Sequence, residues 1–285
     1  MSNNIAPHAA KKPPQVTLVI GSGSVKCAAG LGVAQVLLDA GIQIERVVGC
    51  SAGALFGSMV AMNLPMDQAI RDAKTLWTKE LTGGKNRMAW LRILAPKLFG
   101  FDVGTFGLRS DRQIQRVLER YYGNVRIEDL PIPFHVTATD LMTGDLVELS
   151  QGRLTEAVRA SIAIPFAFAP VKTDGRMLVD GYLSDPMPTS VAIRNGAETI
   201  VAVGFESPMQ THIASPARFA FQMMAVMSNN LFKARHAFHS AAHHAELITI
   251  VPEFQQRIRL FDTDKIGDIV QAGAHATEAH LPYLR

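Results

Sequence analysis

The sequence predicts an α/β fold on a mostly parallel sheet, and three observations carry that prediction. Continuously apolar runs such as Val16–Ile20 and Thr199–Val203 read as strands buried on both faces, the usual condition of parallel strands. Stretches of helical periodicity alternate with those runs. Glycine-rich turns lead from the first two strands into helices, through Gly21-Ser22-Gly23-Ser24-Val25-Lys26 and Gly49-Cys50-Ser51-Ala52-Gly53.

Composition narrows the class. The chain has 285 residues, of which 48% are hydrophobic and 19% charged, enough apolar material for one large core, and no linker divides it. One domain is expected over 15–285, behind a polar, disordered leader over 1–14 that ends in Lys11-Lys12-Pro13-Pro14. A net charge of +3 is too small to argue a nucleic-acid partner. No run of about 18 apolar residues occurs, and the first residues lack the basic-then-apolar signature of a secretory signal, so a cytoplasmic protein is expected. Only Cys27 and Cys50 are present, which argues against a disulfide framework.

Taken in order, the first strand at 16–20 runs through the glycine-rich turn into a helix over 34–41. A second strand at 45–49 meets the serine turn and another helix. Residues 66–77 show helical spacing, and 88–101 concentrates large apolar side chains among scattered Arg and Lys. A helix over 111–122 is expected to be capped by Ser110. The β-branched run Phe134–Asp140 and Leu146–Ser150 flank a Thr143-Gly144-Asp145 turn, giving a hairpin. A helix over 154–161 precedes a loop that Pro165 and Pro170 keep from being helical. Strands at 170–173 and 176–180 flank Asp174-Gly175, the dipeptide of a two-residue hairpin, and deliver Asp180 to a turn at Gly181. A short helix over 191–195, a strand at 199–203, a Met- and Ala-rich helix over 216–243, a strand at 247–251 and a helix over 262–280 complete the chain.

The chemistry centres on Gly49-x-Ser51-x-Gly53, the pattern of a nucleophile elbow, in which a tight strand-to-helix turn pushes the serine outward at a helix N-terminus. Adjacent parallel strands present their C-terminal ends on one edge, so the first glycine-rich turn should neighbour Ser51. That turn lacks the third glycine of a dinucleotide fingerprint and the G-K-[ST] of a phosphate loop, which leaves an oxyanion loop as the reading. A serine hydroxyl needs a base. The late histidines, His236, His239, His243, His244, His275 and His280, lie on expected helices rather than in a loop after a strand. His239 and His243 have metal-pair spacing without the glutamate of H-E-x-x-H, so no metal or other cofactor is expected. Asp140 and Asp180 both stand at strand ends, and pattern alone leaves both open as the base.

Gly21-Ser-Gly-Ser-Val-Lys26, Gly49-Cys-Ser-Ala-Gly53, Ala160-Ser-Ile-Ala-Ile-Pro165 and Val179-Asp-Gly181, in this order and spacing, resemble the bacterial patatin-like phospholipase family. The likeness extends to Ala138-Thr-Asp-Leu141 and Asp185-Pro-Met-Pro188. It implies a three-layer α/β/α sandwich and a serine–aspartate dyad, with Ser51 as nucleophile and Asp180, of the D-G motif with Gly181, as base. It also implies an oxyanion hole over Gly21, Ser22, Gly23, Ser24, Val25 and Lys26. Cys27 departs from the family, which usually has a glycine there. The implied substrate is a lipid or other acyl ester, with peripheral membrane contact. The alternative is a patatin-fold protein that hydrolyses weakly or not at all and serves as a binding or regulatory protein.

Two further expectations follow from the residues. Trp90, Leu91, Ile93, Leu94, Phe99, Phe101 and Phe106, beside Arg87, Arg92 and Lys97, suggest a lipid-facing surface or a buried cover. Cys27 and Cys50 should lie near one site, where helix N-termini and Lys26 would lower a thiol pKa and apolar burial would raise it.

Overall fold

The computed structural model describes residues 13–77, 86, 100, 102–207, 209–242, 244–256, 258 and 262–284. Of the expected leader only Pro13 and Pro14 are included, and Trp90, Leu91, Ile93, Leu94, Phe99 and Phe101 lie outside the described residues.

One sheet gathers β1 (Gln15–Ile20), β2 (Gln43–Cys50), β3 (Phe134–Asp140), β4 (Leu146–Leu149), β5 (Val171–Thr173), β6 (Arg176–Asp180), β7 (Thr199–Val203) and β8 (Glu246–Ile250). Following hydrogen-bonded neighbours, the path runs β5-β6-β3-β2-β1-β7-β8, with β4 also paired to β3. The pairs from β3 through β2, β1 and β7 to β8 are parallel, whereas β4, β5 and β6 join by antiparallel pairs. The Asp174-Gly175 turn has φ of 47° and 74°, the left-handed pair a two-residue hairpin requires.

Around the sheet lie α1 (Ala29–Asp39), α2 (Ala52–Ala61), α3 (Met66–Leu76), α4 (Asp111–Tyr122), α5 (Leu154–Ser161), α6 (Thr189–Arg194), α7 (Pro216–Ala242) and α8 (Ile266–Glu278). Strand alternation divides the core between the two faces of the sheet. Leu18, Ile20, Val47 and Val136 pack with Leu31, Leu55, Phe56 and Ile269 of α1, α2 and α8. Val19, Val48, Ile200 and Ala202 pack with Met187, Val191 and Ala192, where Phe232 of α7 also rests. The fold is thus the three-layer α/β/α arrangement expected, with helices on both faces.

The bounds of two helices and one cap are notable departures from the sequence reading. The first helix begins at Ala29, after a 3-10 turn over Ser24–Ala28, because Ala29-Gly-Leu-Gly32 is too poor in large side chains to show a period although all four residues are buried. Ser110 stands at the N-cap of α4 but its side chain makes no capping hydrogen bond. The last helix starts at Ile266, behind a separate 3-10 turn over Thr263–Lys265, and stops at Glu278.

Candidate active site

Ser51 and Asp180 meet because of how β3 shares its edges. Val136–Thr139 pair with β4 along one edge, so β2 and β6 must both occupy the other. On that edge β2 ends with Cys50 opposite Thr137, and β6, running the opposite way, ends with Asp180 opposite Ala138. Two chains arriving head to head on adjacent positions of one strand have to turn off the sheet. The residues at that collision are Ser51 and Gly181.

The elbow is as tight as its glycines require. A Cβ on Gly53 would stand 2.2 Å from the Ile20 carbonyl oxygen, and one on Gly49 would stand 2.5 Å from the Ala54 Cα. Ser51 takes φ 57° and ψ −129°, a left-handed conformation that costs a non-glycine residue about 1–3 kcal/mol. Its N–H donates to Ser161 Oγ at 2.8 Å, and that hydroxyl donates onward to the Thr137 carbonyl at 2.7 Å. Ser161, at the end of α5, therefore ties the strained turn to the middle of β3. Its motif, Ala160-Ser161-Ile162, is visible in the sequence, but its role depends on a contact across 110 residues.

Ser51 Oγ donates to Asp180 Oδ2 at 2.6 Å. The aspartate is held on all sides: Tyr182 N–H donates to Oδ1 at 3.0 Å, the Asp180 N–H reaches Ala163 O at 3.0 Å, and Thr139 Oγ1 donates to its carbonyl at 2.9 Å. Ser51 is 7% exposed and Asp180 is 0% exposed. Burial pushes the Asp180 carboxyl up to about 7, against the opposing pull of the Ser51 and Tyr182 hydrogen bonds. A carboxylate with that proton affinity, in contact with a serine hydroxyl, is suited to accept its proton near neutral pH. Asp140 is engaged elsewhere: its Oδ1 accepts the Met142 N–H at 2.9 Å in the β3–β4 turn.

The glycine-rich turn lies beside Ser51, as adjacent parallel strands require. Gly21 N–H and Ser22 N–H are committed, to Val203 O at 2.9 Å and Pro186 O at 2.7 Å. Ser24 adopts φ 61°, a second left-handed non-glycine residue in the site. Lys26 Nζ donates to Glu206 O at 2.7 Å, lies over the Phe205 ring, and has its pKa lowered by burial. A cleft of about 390 Å³ opens between this turn and α7, with Ser51 and Asp180 at its floor. Ile164, Phe221, Met224, Ala225 and Ile258 make its wall mainly apolar, and the Tyr182 hydroxyl donates there to Met224 Sδ at 3.0 Å.

Cys27 and Cys50 are both free and fully buried, and burial pushes both thiols up rather than down. The lowering expected from helix N-termini and Lys26 is overridden by desolvation. The Cys27 thiol donates to the Gly21 carbonyl at 3.1 Å, inside the turn it belongs to. His239, the most buried of the late histidines among the described residues, hydrogen-bonds Thr189 at 2.7 Å and is absent from the cleft lining.

Comparison with known proteins adds an independent observation. Residues 18–193 match the model of the patatin-like phospholipase family. An uncharacterized NTE family protein of Mycobacterium tuberculosis is 36% identical over 207 residues, 73% of this chain and 52% of its own length. Patatin-like phospholipase domain-containing protein 6 of Mus musculus is 26% identical over 202 residues, 70% of this chain and 14% of its own. The chain thus spans about half the length of the mycobacterial relative. Among solved structures, VipD from Legionella pneumophila superposes with a TM-score of 0.53 at 16% identity, over 97% of this chain and 68% of that one, a likeness of fold.

Proposed function

This chain belongs to the patatin-like phospholipase family, and on that premise we propose that it is a lipid acyl hydrolase working through Ser51 and Asp180. The observation that carries the reading is the 2.6 Å hydrogen bond from the Ser51 hydroxyl to a carboxylate that burial pushes up to about 7. Ser51 Oγ attacks the ester carbonyl carbon while its proton passes to Asp180 Oδ2. The carbonyl oxygen becomes an oxyanion facing the glycine-rich turn. Its donors are assigned to the N–H groups from Gly23 into the Ser24–Ala28 turn, because those of Gly21 and Ser22 are spent on Val203 and Pro186. Collapse expels the alcohol, which takes the proton from Asp180 and leaves an acyl ester on Ser51. Water then attacks that ester while Asp180 accepts its proton, and as the fatty acid departs Asp180 returns that proton to Ser51 Oγ, restoring both groups.

The apolar wall of Ile164, Phe221, Met224 and Ile258 supports an acyl chain as the part of the substrate that enters the cleft. Among the described residues no helix is long and apolar enough to cross a membrane. The same reading places the protein in the cytoplasm, meeting its substrate at a membrane from one side. A fluorophosphonate probe tests the dyad. Labelling of the folded protein that disappears in Ser51→Ala is expected, and a folded protein that stays unlabelled would favour the non-hydrolytic alternative instead.

A further inference from the structure

Helix α7 is apolar on two sides. Its inner side brings Phe221, Met224 and Ala225 to the cleft and Phe232 to the sheet. Its outer side carries Phe219, Met223, Met227 and Phe238, which are 54%, 40%, 71% and 63% exposed. At about 100° per residue, positions 219, 223 and 227 make one continuous stripe, turned away from 221 and 225, with Met224 at the border between the two sides. Met209 and Ile213, just ahead of the helix, are exposed as well. Large apolar side chains concentrated on one outer face mark an interaction site rather than ordinary surface.

Charge indicates what covers it. Helix α7 has no Asp or Glu, and of its basic residues Arg235 turns inward to the buried Asp185 while Arg218 and Lys233 are exposed beside the stripe. Lys233 reaches Glu206 at 3.2 Å, yet its side chain stays 61% exposed. An apolar stripe bordered along one side by Arg218 and Lys233, on a helix free of acidic residues, suits a helix that lies in a membrane interface. Continuity with the cleft points the same way: the helix that presents the stripe also roofs Ser51, so a docked stripe would bring the cleft to a lipid source.

We propose that the outer face of α7, with Phe219, Met223 and Met227 as its apolar anchors, seats the protein on an anionic lipid surface. The proposal rests on the acyl-hydrolase reading for its biological sense, but its test does not need turnover. Full-length chain carrying Ser51→Ala is co-sedimented with vesicles of phosphatidylcholine alone and of phosphatidylcholine mixed with phosphatidylglycerol. The expected result is binding to the mixed vesicles, falling about tenfold or more when Met223→Ser and Met227→Ser are added. Phe219→Ser serves as the second variant if the pair fails to fold. No binding to the mixed vesicles, equal binding to phosphatidylcholine alone, or undiminished binding by the folded variants overturns the proposal. So does gel filtration showing a dimer that the same substitutions convert to monomer, since a second copy would then be the occupant. With Ser51 intact, hydrolysis of a soluble short-chain ester should be equal with and without the α7 substitutions. Failure of the dyad reading would show as no hydrolysis in either, and failure of this proposal in the vesicle binding alone.

Discussion

At the floor of the cleft Ser51 and Asp180 are almost wholly buried, and the backbone of each is tied into the sheet, through Ser161, Ala163 and Thr139. At the roof, α7 leaves a row of Phe and Met side chains in water. Its polar attachments to the segment after Asp180 include Arg235 to Asp185 at 3.3 Å, Tyr182 to Met224 at 3.0 Å and His239 to Thr189 at 2.7 Å. On the proposed hydrolase reading the contrast separates two tasks. Reacting atoms need positions that cannot drift, which close packing and satisfied hydrogen bonds supply. Admission of a large apolar substrate needs an element that is held less firmly and whose surface already suits lipid.

The largest expected effect breaks the floor chemically. Asp180→Asn should lower kcat/KM by about 10²–10⁴-fold and abolish the rise in activity that the wild-type protein should show as pH increases through about 7. The same substitution should stabilise the fold. The folded carboxyl keeps its proton up to about 7 while an unfolded one releases it near 3.8, so wild-type stability falls as pH rises through that window. Thermal unfolding should therefore show the variant ahead by a few kcal/mol at pH 8, on the order of 1.4 kcal/mol per pKa unit, and close to wild type at pH 4. A variant less stable than wild type at pH 8 would contradict the burial argument.

Breaking the floor sterically comes next. Gly53→Ala puts a methyl against the Ile20 carbonyl, which the rigid end of β1 cannot avoid. Denaturant melts should show a loss of about 1–3 kcal/mol, the usual range of overpacking with backbone displacement, and toward its upper end because the contact is with backbone. The roof should respond more mildly. Arg235→Met leaves Asp185 buried without its cation, at a cost of about 1–3 kcal/mol. Burial already raises the Asp185 carboxyl to about 6, so the loss should be present above that pH and shrink as the group protonates below it. For a long-chain ester, KM should rise more than kcat falls, and the reverse split would mean that Arg235 supports the floor rather than the roof. The smallest effect is a null one: a charged thiol reagent should leave activity unchanged and label neither Cys27 nor Cys50 until the protein is denatured. Labelling in the folded state would show that the glycine-rich turn opens.

Much of this was legible in the residues because local sterics and periodicity write themselves into short stretches. Buried parallel strands read as apolar runs at 16–20 and 199–203, Asp174-Gly175 announced its hairpin, and two glycines around Ser51 announced an elbow whose backbone leaves no room for a Cβ. The ordered set of motifs carried the family, which the match over 18–193 shows. Tertiary structure decided what no local pattern encodes. Asp140 and Asp180 look alike as strand ends, and only the sharing of one β3 edge by β2 and β6 brings the second of them, 129 residues away, to Ser51. Ser161 acquired its role, and the two cysteines lost theirs as reactive thiols, for the same reason: hydrogen-bond partners and desolvation belong to the packed assembly. The outer stripe of α7 was likewise hidden in a helix rich in Met and Ala, since apolar residues on both sides cannot be sorted into core and surface until the sheet claims one side.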